Sequence, residues 1–150
     1  MIDVQIPARP GTYFSWEELK VTNTGLPNEP PVMAMANLVD VVAFLLDPLR
    51  EALGVCRVTS GYRSRVVNSQ VGGSPRSLHM EGRAVDFTIR GMASRDVVAR
   101  LVESGLPFDQ AIWYDASRGG HVHVSLFPAQ EGGGRRQALH AVSTGGYVPA

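Results

Sequence analysis

The chain has 150 residues, the usual size of one domain, and its fourteen basic side chains balance fourteen acidic ones. This balance gives no preference for a polyanion, so the charge predicts neither a nucleic-acid partner nor an acidic membrane surface. Cys56 is the only cysteine, which excludes an intrachain disulfide and a thiolate-rich zinc finger. Any bound metal ion therefore needs histidine and carboxylate ligands.

The N-terminal part, residues 1–31, is rich in proline and is predicted to be irregular apart from one short helix. Ser15 is a suitable cap for that helix, because acidic residues follow it in the first turn. This part lacks a basic stretch followed by an apolar run, and no segment approaches about 18 uninterrupted apolar residues. We therefore expect synthesis in the cytoplasm without a signal peptide, and no membrane span.

Apolar residues between Val32 and Leu53 recur mostly at steps of three and four, which predicts a long helix with one buried face. Gly54 is expected to end it. Pro48 lacks a backbone N–H and is predicted to kink or split the helix near Leu46 and Asp47.

The middle of the chain predicts two strands with a short helix between them. The segment 55–60 alternates in polarity, and Cys56 on its inner face is expected to be a small buried filler. Ser64 is a suitable cap for a helix through Val71, which the following glycines would end. The segment 84–89 is predicted to be a strand that carries the carboxylate of Asp86 on the face opposite to Val85.

Further along, Ser94 is predicted to cap a helix that stops at Gly105. Two strand-like segments, 108–114 and 121–127, flank a loop rich in glycine and are expected to form an antiparallel hairpin. A last strand is predicted over 137–142. The length of the chain favours a single domain over residues 1–150.

A zinc site for hydrolysis needs three nitrogen or oxygen ligands and an open position for water. His79, Asp86 and His123 supply two imidazoles and one carboxylate, and Gly82 lets the chain turn between the first two. His121 lies two residues before His123 on a predicted strand, so both side chains are expected on one face.

Four short motifs resemble those of one protein family: Ser60-Gly61-Tyr62-Arg63-Ser64, Ser77-x-His79-x-x-Gly82-x-Ala84-x-Asp86, Phe108-Asp109-Gln110 and His121-Val122-His123-Val124-Ser125. They are similar to the zinc D-Ala-D-Ala metallopeptidase family, which contains carboxypeptidases and phage-type endopeptidases of peptidoglycan. The resemblance runs from Tyr13 to Val148 and is greatest to the short, single-domain members common in phages and prophages.

The resemblance implies one catalytic Zn2+ per chain, held by His79, Asp86 and His123. It implies that Arg63 binds the carbonyl or carboxylate of the substrate, and we expect Ser77 and Tyr62 to contact the substrate as well. The fold it implies is an α+β fold built on a small antiparallel sheet flanked by helices, shared with the Hedgehog signalling domain. The expected partners are stem peptides of peptidoglycan, reached by a monomer after release from the cell or as part of a virion.

The chain departs from the family pattern at the general base. Tyr114 stands where many short members have Glu, and Gly120 stands where other branches place a Glu three residues before the last ligand. His121 matches a branch with His-x-His at this position. We therefore predict that His121 acts as acid or electrophile, with Asp115 as the alternative carboxylate.

Two alternatives bear on the function. His79-Met80-Glu81 also fits the His-x-Glu of nucleobase deaminases, but a chain with one cysteine cannot complete their zinc site. The second alternative is a zinc-bearing structural or peptidoglycan-binding module of a phage particle that has lost its base, as Tyr114 and Gly120 suggest. The sequence leaves the cleaved bond open between terminal D-Ala and an internal peptide bond.

Overall fold

A computed structural model describes residues 4–142 and 145–150 of the chain. The helices are α1 (Trp16–Leu19), α2 (Val32–Leu53), α3 (Arg65–Gln70) and α4 (Ser94–Ser104). The strands are β1 (Cys56–Ser60), β2 (Ala84–Ile89), β3 (Gln110–Tyr114), β4 (Val122–Ser125), β5 (Gln137–Ala141) and β6 (Tyr147–Pro149). Short 3-10 turns lie at Leu78–Glu81, Ala116–Arg118 and Ala129–Glu131.

The strands form one six-stranded sheet in the order β1-β2-β4-β3-β5-β6. Every neighbouring pair is antiparallel except β3 and β5, which run parallel. The predicted α+β fold and the β3–β4 hairpin are confirmed, and the sheet is mostly antiparallel. The strand β6 was not predicted, because Tyr147–Pro149 is too short to show alternation.

The two faces of the sheet have different roles. Val85, Val124 and Ala111 are paired across β2, β4 and β3 and lie on the core face, where each is fully buried. The next row, which contains Asp86 and His123, points to the opposite face. The sheet thus separates a hydrophobic core, covered by α2 and α4, from a polar face that holds the site.

The long helix α2 is continuous and contains a π-helical segment over Val42–Leu46 directly before Pro48. The expected disturbance at the proline therefore occurs as a widened turn, because Asp47 donates its N–H to the carbonyl of Val42 five residues earlier. Its buried face packs into the core through Leu38, Val41, Val42, Leu45, Leu46 and Leu49.

Among the described residues, α2 is the one helix long and apolar enough to cross a membrane by length and composition. The buried core helix of a globular domain has the same properties. Here the helix packs against the other elements of the fold through its leucines and valines.

The predicted helix caps have mixed outcomes. Ser15 forms a capping box with Glu18, and the hydroxyl of Ser64 accepts the N–H of Val67, as predicted. The predicted cap at Ser94 is wrong, because α4 is capped by Ala93 and the Ser94 hydroxyl instead donates to the carbonyl of Tyr114 at 2.6 Å. Cys56 is buried as predicted, and burial raises the pKa of its thiol to about 12.

Candidate metal centre

Three side chains that suit a zinc ion meet on the polar face of the sheet. Asp86 on β2 and His123 on β4 are directly paired across the antiparallel strands, and His79 comes from the 3-10 turn before β2. The carboxylate oxygen Oδ1 of Asp86 lies 2.8 Å from Nδ1 of His123 and 3.2 Å from Nε2 of His79. The structure brings all three predicted ligands together.

These distances fit a small divalent ion. The ligand atoms of the three residues all lie within 4.8 Å of one another. A tetrahedral zinc with bonds of about 2.0–2.2 Å separates its nitrogen and oxygen ligands by about 3.3–3.6 Å. The arrangement therefore needs only small adjustments to hold such an ion, and the donor set of two imidazoles and one carboxylate is a common one for catalytic zinc.

The imidazole of His79 is held on both sides. Its Nδ1 donates to the carbonyl of Gly61 at 2.7 Å, so Nε2, which lies 3.2 Å from Oδ1 of Asp86, is the ring nitrogen available to a metal ion. The carbonyl of His79 accepts the N–H of Arg63 at 3.1 Å. Gly82 ends the turn in the left-handed region with a φ of 71°, where a Cβ would clash with the carbonyl oxygen of Ala34.

The carboxylate of Asp86 is the electrostatic centre of the site. Burial raises its pKa, but His79 and His123 outweigh this effect and hold the pKa of Asp86 well below its usual range. Its second oxygen, Oδ2, accepts a hydrogen bond from Nη2 of Arg63 at 3.3 Å. Asp86 is therefore ionised at neutral pH, as a metal ligand must be.

The centre opens into a cavity of about 400 Å³. Its walls are formed by Arg63, Gly72, Gly73, Ser74, Arg76, Ser77, Leu78, His79, Asp86, Gln110, Ile112, Tyr114, His123 and Tyr147. Asp86 is the only carboxylate among these described lining residues. The other charged lining residues outside the ligand set are two arginines.

His121 and Tyr114 lie next to each other on the site face. Their rings stack with centroids 4.2 Å apart, and the N–H of Tyr114 donates to the carbonyl of His121. Tyr114 lines the cavity, whereas His121 stacks on it and is not among the lining residues. Burial lowers the pKa of His121, and burial together with the phenol of Tyr147 raises the pKa of Tyr114, so both side chains are neutral at pH 7.

Asp115 does not join the other predicted site residues. Its carboxylate faces Nε2 of His140 at 3.4 Å, and the His140 ring stacks on Trp113 with centroids 3.5 Å apart. Trp113 is paired with Val122, so this group belongs to the core face of the sheet. The alternation of side chains along β3 thus separates Asp115 from the metal ligands.

Two of the three predicted substrate contacts lie at the cavity. Arg63 and Ser77 line it, and the Ser77 hydroxyl also accepts the N–H of His79. Tyr62 is buried in the hydrophobic core and is absent from the cavity wall, which corrects its predicted role.

Three residues of this region were missed. Asn28 and Asn68 are buried and hydrogen-bond to the segment around Arg63. Tyr147 lines the cavity from β6. A buried asparagine carries no signal in sequence, because its partners lie up to 36 residues away along the chain.

Comparison with known proteins decides the family. A family model described as Peptidase M15 matches residues 12–125. The chain belongs to the peptidase M15 family. This is the zinc D-Ala-D-Ala metallopeptidase family indicated by the motifs, so that prediction is confirmed, and the M15 chain is accordingly a metallopeptidase. No curated protein matches it.

The match covers the three ligand residues and Arg63 but ends before the last two strands. The M15 family is zinc-dependent, which agrees with the group formed by His79, Asp86 and His123. Strands β5 and β6, including Tyr147, lie beyond the matched residues.

Proposed function

We propose that this M15 chain hydrolyses peptide bonds in the stem peptides of bacterial peptidoglycan, as a zinc carboxypeptidase or endopeptidase of the phage or prophage type. The observation that carries the proposal is the group His79, Asp86 and His123 at the base of an open cavity. A bound zinc supplies Lewis acidity toward a carbonyl oxygen and makes water acidic enough to act at neutral pH. The chain would act as a monomer, after release from the cell or as part of a virion.

The side chains around the ligands would bind and orient the peptide. The cavity presents N–H and O–H donors from Arg63, Arg76, Ser77 and Tyr114. Donors of this kind bind the carbonyl and carboxylate oxygens of a stem peptide and the negative charge that develops on the carbonyl oxygen. Arg63 is the proposed contact to the reacting carbonyl or carboxylate.

Proton transfer must occur without a glutamate, since Asp86 is the only carboxylate in the described cavity wall. We assign it to His121, which stands on the site face beside Tyr114. The phenol of Tyr114 would donate a hydrogen bond from the cavity wall, while the neighbouring imidazole exchanges the proton.

A second candidate is a non-catalytic zinc-bearing module that binds peptidoglycan in a phage particle. The absence of a second carboxylate from the described cavity wall favours this candidate, because such a cavity lacks the usual base of a zinc peptidase.

One experiment distinguishes the two candidates. Purified protein loaded with zinc is incubated with peptidoglycan sacculi, and the released muropeptides are analysed by mass spectrometry, with His123→Ala as the control. Hydrolysis predicts new products that depend on zinc and on His123, and their masses identify the cleaved bond. Binding to sacculi without any new product would overturn the proposed activity and support the non-catalytic module.

A further inference from the structure

Arg63 has a partner at each side of its guanidinium. Its Nε donates to the hydroxyl of Ser60 at 3.0 Å, Nη1 donates to Oδ1 of Asn68 at 3.4 Å, and Nη2 donates to Oδ2 of Asp86 at 3.3 Å. This arrangement fixes the plane of the guanidinium next to the metal ligand. The position of Arg63 therefore depends on how firmly its own backbone is held.

The backbone on both sides of Arg63 is held by one side chain. Nδ2 of Asn28 donates to the carbonyl of Tyr62 at 2.9 Å, and Oδ1 of Asn28 accepts the N–H of Ser64 at 2.7 Å. The same Nδ2 also donates to the carbonyl of Lys20 at 3.0 Å. Asn28 is only 8% exposed, so these bonds are shielded from water.

Neighbouring contacts keep the amide of Asn28 in place. The Ser64 hydroxyl donates to the carbonyl of Pro27 at 2.7 Å, next to Asn28 in the chain. The N–H of Tyr62 donates to the carbonyl of Leu19 at 2.7 Å. These bonds join the irregular N-terminal segment to the segment that carries Arg63. The N-terminal segment therefore has a role beyond covering the core.

We infer that Asn28 is a positioning residue that holds Arg63 against Asp86 and at the cavity wall, an inference that rests on the proposed peptidase function. Asn28 does not line the cavity, and its described hydrogen bonds go to Lys20, Tyr62 and Ser64 rather than to a candidate metal ligand. It acts through the peptide groups on both sides of Arg63. Asn68, which is 3% exposed, holds the guanidinium directly, because its Oδ1 accepts a hydrogen bond from Nη1 of Arg63.

The test compares Asn28→Ala with Val97→Ala, a change at a buried site on α4 that lowers stability without touching the Arg63 segment. Activity on peptidoglycan is expressed per folded, zinc-loaded molecule. We expect Asn28→Ala to lower kcat/KM by about 10- to 100-fold, the usual cost of losing a partner that orients a site. Val97→Ala is expected to change kcat/KM per folded molecule little.

A double-variant comparison separates positioning from general stability. In an Arg63→Lys background, Asn28→Ala is expected to cause little further loss of kcat/KM but the same fall in melting temperature as in the parent. An equal fold-loss of activity in both backgrounds would overturn the inference. If Asn28→Ala does not fold, Asn28→Asp is compared in the same way, because it keeps the acceptor for the N–H of Ser64 and loses the bonds donated to Tyr62 and Lys20.

A second readout does not depend on activity. The Nε–H signal of Arg63 in a 15N-resolved NMR spectrum is assigned by its loss in Arg63→Lys. In Asn28→Ala it is expected to move toward the position of solvent-exposed arginines, while in Val97→Ala it stays in place. An unmoved signal in Asn28→Ala would contradict the inference. If the parent proves inactive on peptidoglycan, the proposed function fails and this spectrum alone decides the role of Asn28.

Discussion

Asp86 contacts three side chains with one carboxylate, two imidazoles through Oδ1 and the guanidinium of Arg63 through Oδ2. These contacts explain how a buried acid stays ionised, because the two histidines favour the charged carboxylate by more than burial disfavours it. Asp86 is therefore both a candidate metal ligand and the residue through which Arg63 contacts the centre.

At Arg63 we predict that Arg63→Lys loses activity and keeps its stability. Lysine retains the charge but cannot contact Ser60, Asn68 and Asp86 with one planar group. The expected loss in kcat/KM is about 10- to 100-fold, with a melting temperature near that of the parent. Calorimetry and muropeptide release on the same preparation measure both, and a large fall in melting temperature would favour a purely structural ion pair.

At His121 we predict that His121→Gln lowers turnover by about 100- to 10,000-fold, the usual effect of losing a general acid or base. Zinc content is measured alongside and is expected to be unchanged. Tyr114→Phe is the matched comparison, because it keeps the ring that stacks on His121 and removes only the hydroxyl. Should His121→Gln retain more than about a third of parental turnover with full zinc, far above the value expected for a lost catalyst, the proton must be carried elsewhere.

Among the elements, β6 has a position that the family match does not cover. Tyr114, Ala141 and Tyr147 are paired in one row across β3, β5 and β6, so the short side chain of Ala141 lies between two tyrosines on the site face. Tyr147 is thereby placed at the edge of the cavity.

We predict that Tyr147→Ala raises KM for muropeptide substrates several-fold and leaves kcat nearly unchanged. The substitution removes part of the cavity wall but leaves the three candidate metal ligands in place. Val148→Ala, on the opposite face of the same strand and also exposed, is the matched control and is expected to behave as the parent. An equal effect of the two substitutions, or a fall in kcat alone, would refute a substrate-contacting role for Tyr147.

The segment between β4 and β5 is anchored by an ion pair. Arg135 donates from Nε and Nη2 to the buried carboxylate of Asp109 at 2.9 Å each, and its backbone N–H donates as well. Hydrogen bonds from Arg135 lower the pKa of Asp109, against a smaller opposing effect of burial. The bond thus fixes β5 beside β3 although the two strands are distant in sequence.

A lowered folded-state pKa stabilises the fold above the unfolded pKa of about 3.9, and the contribution is lost as the pH falls through the folded value. We predict that Asp109→Asn lowers the free energy of unfolding at pH 7 by about 1–3 kcal/mol. The deficit relative to the parent should persist down to about pH 4 and shrink below it. Urea unfolding across pH measures this, with exposed Glu103→Gln as control, and a deficit that grows in acid would contradict the assignment.

At the scale of the whole molecule, the ligands were predictable because they lie in short motifs with fixed spacing. His79 and Asp86 are seven residues apart and flank one turn, and strand alternation predicted that His121 and His123 share one face. What the sequence did not reveal depends on pairing between distant segments. The parallel pairing of β3 and β5 places His140 on Trp113 and within 3.4 Å of the Asp115 carboxylate, and no local pattern in the sequence indicates this pairing.

The balanced net charge also conceals how charge is distributed. Fourteen acids and fourteen bases cancel over the chain, yet the cavity contains Arg63 and Arg76 with Asp86 as its only described carboxylate. With a zinc ion bound, the site would be strongly positive, which suits the anionic stem peptides of the proposed substrate. We therefore expect any preference for anionic peptides to depend on the positive charge around the cavity rather than on the net charge of the chain.

The zinc content of the purified protein tests the central claim most directly. We predict one zinc per chain by elemental analysis, together with its loss in His123→Ala and Asp86→Asn, because each substitution removes one of only three protein ligands. His140→Ala, which changes a histidine on the other face of the sheet, should keep the full amount. A parent protein without zinc, or a His123→Ala variant that binds as much zinc as the parent, would contradict the account.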